Sequence, residues 1–242
     1  VTTYAAVATG FRAPVVNARA GSVSTIDPDD LVIPYGADSD KLINYELGMK
    51  GSWLDGRLAA NLALYYVDWN DIQVQANRVS DQVQFATNIG GAYSRGLEFE
   101  LMAMPDMDWT IALNGSFNRA RVDELTPQEA AISGTVLGAR LAAPEFSASL
   151  VTSYRFDFIR GSEGNASLAI VHVGDFPGQF QYVPGQPGVV SPTFDYTDAY
   201  TVVNANVAAA FDHYTVGLYV ENLFDDRSVT YVHPEAFLDG RY

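Results

Sequence analysis

The sequence contains no cysteine. That excludes a disulfide framework, a thiolate metal site and a cysteine nucleophile. Bases are scarce: Lys and Arg number 14 against 29 Asp and Glu, for a formal net charge of -15. Such an acid excess argues against nucleic acid as a partner, because that binding rests on basic surface. No apolar run is long enough for a membrane helix. A membrane barrel stays open, since apolar and polar residues alternate along barrel strands and average out. Gly-rich phosphate loops, a nucleophile elbow and zinc spacings are missing too. The three histidines, His172, His213 and His233, stand on separate segments without ligand spacing. No catalytic residue, metal or cofactor is therefore expected, and the chain does not read as an enzyme.

What is present is alternation. Between Lys41 and Gln73, Ile43, Tyr45, Leu47, Met49, Gly51 and Trp53 alternate with Asn44, Glu46, Gly48, Lys50 and Ser52. Successive side chains of a strand point to opposite faces, so one face is apolar and the other polar. Leu54-Asp55-Gly56 supplies a tight turn. The second arm then sets Leu58, Ala60, Leu62, Leu64 and Tyr66 against Ala59, Asn61, Ala63 and Tyr65. The arms are long for a soluble sheet. Trp53 stands near one end, and Tyr65, Tyr66 and Trp69 near the other. Tilted strands of about ten residues with aromatic girdles at both rims span an outer membrane.

The rest of the chain extends the pattern. Strands are predicted over 1–11, 92–104, 109–120, 146–156, 166–173, 199–211 and 215–224, with a short one near 83–85 and another starting at 228–233. Thr126–Ile132 predicts one or two helical turns, with Thr126 capping, Pro127 opening and Glu129 at the third position. Long irregular stretches (14–40, 74–90, 121–144, 174–198) alternate with short ones (54–56, 105–108, 157–165, 212–214). Long loops thus gather at one end of an antiparallel sheet and short turns at the other, as in outer-membrane barrels. The fold class expected is all-β: an antiparallel meander forming a partial transmembrane β-barrel, about nine to ten strands of a larger one. Glu98 and Glu100 share a face with Glu46 and Lys50 and read as a hydrated lumen wall rather than an acid–base pair.

Five segments carry a resemblance. YAAVATGFRAP at 4–14, NYELGMKGSWLDGRLAANLALYYVDWNDIQV at 44–74, ATNIGGAYSRGLEFEL at 86–101, HVGD at 172–175 and VENLFDDR at 220–227 occur in this order. Together they resemble the C-terminal part of the barrel of TonB-dependent outer-membrane receptors. The resemblance implies a closed 22-stranded barrel with a plugged lumen. It also implies residence in the bacterial outer membrane, among its lipid. It implies energy-dependent uptake of a scarce small molecule: an iron–siderophore complex, haem, cobalamin or a glycan. The energy would come from a TonB-type coupling protein that acts through an N-terminal part. Residues 1–242 are expected to hold neither the plug domain nor the final strand. Targeting information is likewise expected elsewhere, since VTTYAAVATGF is not a signal peptide. The alternative is a non-transporting β-barrel or a soluble carbohydrate-binding β-sheet protein.

Candidate ligand-binding residues come from the loop-bearing end. Residues 174–198 are dense in aromatics, amides and prolines, and Phe180, Tyr182 and Tyr196 offer flat apolar faces with polar tips. Arg12, Arg78, Arg119 and Arg121 stand at the same end, and Arg12, Arg78 and Arg121 are taken with the three rings as the expected site. A guanidinium grips an anionic ligand by paired hydrogen bonds.

Overall fold

The computed structural model describes residues 1–233. Its main feature is one antiparallel sheet. The strands are β1 (Thr2–Arg12), β4 (Asp40–Trp53), β5 (Leu58–Asn77), β6 (Gln84–Ala103), β7 (Trp109–Glu124), β8 (Phe146–Asp157), β9 (Glu163–Val173), β10 (Tyr200–Phe211) and β11 (Tyr214–Val220). A two-residue ribbon, β2 (Val15–Val16) with β3 (Gly36–Ala37), folds within the first long connection. Among the described residues the nine sheet strands lie in sequence order, β1 at one edge and β11 at the other, and the sheet is not closed.

The register puts the predicted apolar sets on one face. Leu47 faces Leu64, Leu64 faces Leu97, and Leu97 faces Phe117. Leu113 faces Leu150, and Leu150 faces Ile170. Opposite residues share a face, so these side chains form one apolar wall. It is uncovered: Leu47 is 62% exposed and Leu218 is 74% exposed. Rings border this wall at both ends. Tyr45 and Trp53, Phe117 and Trp109, and Phe146 and Tyr154 each stand eight positions apart on one strand. Eight residues span about 27 Å along a strand before tilt. That matches the ~25 Å apolar band of a membrane barrel.

The other face is polar. Asn61 donates from Nδ2 to Glu100 Oε2 (2.9 Å), and Tyr65 donates from Oη to Asn118 Oδ1 (3.0 Å). Ser94 donates to the same Asn118 oxygen (2.8 Å), and the Ser116 and Ser147 hydroxyls meet at 2.9 Å.

The turns sort as the sequence predicts. At 54–56 the backbone is left-handed throughout, with φ 55° at Leu54, 53° at Asp55 and 89° at Gly56. That geometry matches the twist of a tight hairpin. Helix α1 (Pro127–Ser133) carries the full capping box: Thr126 Oγ1 accepts from Glu129 N, and the Glu129 carboxylate accepts from Thr126 N.

Two expectations are corrected. Residues 74–90 are not a long irregular stretch. β5 runs on to Asn77 and β6 begins at Gln84, leaving only 78–83 as the loop. Beyond the membrane both faces of this ribbon meet water or loops, so it needs no apolar–polar alternation. Among the described residues, no strand starts at 228–233 either. β11 ends at Val220, and Asn222 and Asp226 exchange hydrogen bonds: Asn222 Nδ2 donates to Asp226 O, and Asp226 N donates to Asn222 Oδ1, both 2.9 Å. Such side-chain bonding competes with the ladder. The chain then climbs beside β10, with Leu223 N donating to Val203 O (2.8 Å) and Asp198 N to Val229 O (2.8 Å).

Candidate functional site

The long connections fold together at one end of the sheet. Their anchor is a small core on the extended part of β5, β6 and β7. Ile72, Ile89, Ala92 and Val122 are buried there, and Trp69, Val74, Leu125, Ala139, Leu141 and Phe180 pack around them. Phe180 thereby pins residues 174–199 to the rim.

That segment is itself a ribbon. Gly178 N donates to Asp195 O (3.1 Å), Val183 N to Val189 O (2.8 Å) and Ser191 N to Gln181 O (2.9 Å). Gln179 Nε2 donates to Thr193 Oγ1 (2.6 Å). Two bonds tie the ribbon to the end of α1: Tyr182 N donates to Gly134 O (2.9 Å) and Gly185 N to Ala131 O (2.6 Å).

Between ribbon, β5 and β6 lies a cavity of about 320 Å³. Its apolar wall is Val74, Leu141 and Phe180; its polar wall is Gln75, Asn77, Gln84, Gln179 and Arg140. A few polar groups on an apolar lining is the usual make-up of a small-molecule site. Two atoms of its lining residues are buried without a hydrogen bond: Arg140 Nε, which lies 3.9 Å from Glu145 Oε1, and Asn77 Oδ1. The rest of Arg140 is held. Nη1 donates to Asp175 Oδ2 (2.8 Å), Nη2 donates to Asp175 O (2.7 Å), and the guanidinium lies 5.4 Å from the Tyr196 ring centre.

The residues expected at the site are brought together only in part. Phe180 lines this cavity. Tyr182 lines a narrower gap beside it, with Phe180, Gln75, Asn77 and Pro184. Tyr196 is half-exposed, edge-on to Phe194 (5.5 Å) and against Arg140. Arg12 lies over the Trp69 ring (4.9 Å) and is ion-paired with Asp40. Arg121 pairs with Glu145, the carboxylate that Arg140 Nε also approaches at 3.9 Å, and the Arg121 backbone bridges to that of Arg140. Arg78 is 1% exposed. Its Nε and Nη2 donate to Asp81 (2.9 and 2.7 Å), and its Nη1 donates to the carbonyls of Ser22 (2.8 Å) and Leu31 (3.0 Å). Arg78 therefore fastens the loops to each other. Arg140, which does line the cavity, was not singled out by its sequence: GARLAAP shows one arginine in an aperiodic stretch.

The family follows from sequence and fold together. The sequence model described as TonB dependent receptor-like, beta-barrel matches residues 1–223. The chain belongs to this family. Its members are receptors and transporters of the outer membrane rather than enzymes. Among individual relatives, the ferric-pyoverdine 358 receptor of Pseudomonas putida is 36% identical over 91 residues, which is 35% of this chain and 11% of that protein. The ferric yersiniabactin uptake receptor of Yersinia pestis superposes with a TM-score of 0.64 at 22% identity, over 95% of this chain and 30% of that one. The ferric-catecholate import receptor of E. coli K12 gives 0.66 at 17% identity, over 99% and 31%. The chain thus spans a little under a third of the solved receptors it matches. A family member forms a partial barrel here, and its apolar wall is the lipid-facing surface.

Proposed function

We propose that this TonB-dependent receptor barrel takes part in energy-dependent uptake of a ferric siderophore, captured by the loop end. The observation that carries the reading is the cavity at the loop end, walled by Phe180, with Arg140, Asn77 and three glutamines as its polar groups. A few polar groups on an apolar lining suit a chelate that carries amide or hydroxyl groups beside apolar surface. Phe180, Tyr182 and Tyr196 would supply ring contacts, and Arg140 the charge. Arg12, Arg78 and Arg121 would act through the loops they hold. The relatives named for ferric pyoverdine, yersiniabactin and catecholates support this ligand class.

The remaining barrel strands and the plug would lie outside residues 1–242, because among the described residues β1 and β11 keep open edges. An open edge has no place in lipid. Coupling to a TonB-type protein would run through that outside part. The experiment uses the full-length receptor on iron-starved cells. Radio-iron-labelled ferric pyoverdine, yersiniabactin and catecholate complexes are offered in turn. One is expected to bind, and Arg140→Gln to weaken it about tenfold, the loss of one charged hydrogen bond. No uptake of any ferric complex at normal surface expression would sink the reading.

A further inference from the structure

The positive charge at the loop end is already spent within the chain. Among the described residues Arg140 is the charged group of the cavity lining, and the other polar groups there are the amides of Gln75, Asn77, Gln84 and Gln179. The Arg140 guanidinium stands between two carboxylates: Nη1 donates to Asp175 Oδ2 at 2.8 Å, and Nε is 3.9 Å from Glu145 Oε1. Arg12, Arg78 and Arg121 are ion-paired as well, with Asp40, Asp81 and Glu145. The chain carries a formal net charge of -15. Its field therefore repels an anion rather than drawing one in. Gln75 and Gln84 are exposed, so their amides are open to a ligand. A primary amide both donates and accepts, and so matches the C=O and N–H of a peptide-like group.

We propose that this cavity admits a neutral arm of amide or hydroxamate groups and turns away a polyanion, so that the cargo is a ferric peptide-hydroxamate complex rather than a ferric tris-catecholate. The inference rests on the siderophore reading of the same cavity and narrows its ligand class. Three hydroxamates cancel the charge of a ferric ion, whereas three catecholates leave the complex triply anionic. Burying such a charge is costly without a counter-ion. Here the counter-ion would be Arg140, taken from Asp175, and breaking that pair offsets the gain. A neutral arm leaves the pair intact. Its carbonyls accept from the amides and from the N–H groups of Arg140 that Asp175 does not use. Its apolar part lies against Phe180 and Val74. At about 320 Å³ the cavity is at the small end for a ligand site, which suits one arm of a complex rather than the whole.

The test uses the full-length receptor on iron-starved cells that lack other ferric receptors. The radio-iron probes are ferrichrome, a neutral peptide trihydroxamate; ferrichrome A, a tricarboxylate of the same design; and ferric enterobactin, a triply anionic tris-catecholate. Ferrichrome is expected to bind about tenfold tighter than either anion, the scale of one charged hydrogen bond. The D175N/E145Q variant leaves Arg140 without a carboxylate and should narrow that gap by raising the binding of both anions. Glu145→Gln alone should narrow it less, and it serves where the double variant fails to fold. Heat-modifiable migration and surface labelling check folding and expression. Native binding of either anion as tight as that of ferrichrome, or a gap that neither variant changes, would overturn the charge inference and leave the uptake reading standing. Binding of ferric pyoverdine or yersiniabactin with none of these three probes would do the same. Failure of every ferric complex at normal surface expression would overturn both.

Discussion

Asp40 is the acceptor around which Arg12 closes the top of the first three sheet strands. Its carboxylate is 2% exposed and accepts from Arg12 N (2.9 Å), Arg12 Nε (2.7 Å), Trp69 Nε1 (3.1 Å) and Gln73 N (3.3 Å). β1, β4 and β5 are thus tied at one atom group. With Arg12 Nη2 the carboxylate gathers five donors, and removing it strips all five of this acceptor.

Asp40→Ala in the full receptor is therefore expected to cost about 2–3 kcal/mol, the scale of a charged hydrogen-bond set. Guanidinium unfolding of the detergent-solubilised protein measures it. Asp40→Asn keeps the shape and some acceptance and should fall between. A change under about 0.5 kcal/mol for Asp40→Ala, the range of a neutral surface site, would contradict the hub.

The loop clamp at Arg78 predicts an acid response. Asp81 is held below the ordinary carboxylate range by its hydrogen bonds from Arg78. Burial pushes Asp30 up, but its bonds from Ser80 and Leu31 and the nearby Arg78 outweigh that and bring it down. For a depressed carboxylate the stabilisation is present above the unfolded value and is lost as pH falls through the folded one. Loop 17–33 should hold at neutral pH and loosen only below the usual carboxylate range. The cysteine-free chain allows a single nitroxide at Ile26→Cys, and its mobility read against pH should rise in acid. In Arg78→Gln it should be mobile at every pH. A transition near pH 6–7, the range of histidine, would refute this account.

The two faces predict opposite tolerance. Leu62 faces Met49 and Phe99 on the apolar wall; Asn61 faces Lys50 and Glu100 on the polar face. Leu62→Arg should cost about 2–4 kcal/mol of folding into lipid, as for a cation on the lipid face near the bilayer midplane. Asn61→Arg should cost much less. Folding yields into phosphatidylcholine vesicles compare them directly, and equal yields would invert the assignment.

Alternation made the membrane part of the sheet legible. From Tyr45 to Trp53 and from Phe117 to Trp109, lipid and lumen impose opposite chemistry on neighbouring residues. The same logic fails past the rim. Gln73, Gln75, Asn77 and Gln84 lie on paired strands, yet no lipid selects one face there, so the ribbon reads as loop. The site was less legible still. Phe180 stood out by composition, whereas Arg140 matters only because the fold carries Asp175 and Asn77 toward it. Arg78 looked like a ligand-binding cation and is a buried clamp. A count of charges at one end of a sheet does not say which of them the loops consume.

Gly134 offers a test of how the cavity is positioned, since it does not line it. It ends α1 in the left-handed region at φ 72°, where its N donates to Ala130 O (3.0 Å) and its O accepts from Tyr182 N (2.9 Å). A Cβ added here would fall 2.1 Å from the Tyr182 carbonyl oxygen. Gly134→Ala must therefore push the ribbon away from the helix, on top of about 1–2 kcal/mol for a side chain in the left-handed region. Tyr182 and Phe180 move with that ribbon. Ligand binding to cells should weaken in Gly134→Ala as it does in Phe180→Ala. Thr126→Ala is the control: it removes the cap at the other end of α1, costs about 1 kcal/mol of helix and leaves the ribbon contact in place. If Gly134→Ala binds as the native receptor does while Phe180→Ala does not, the ribbon is not positioned by α1.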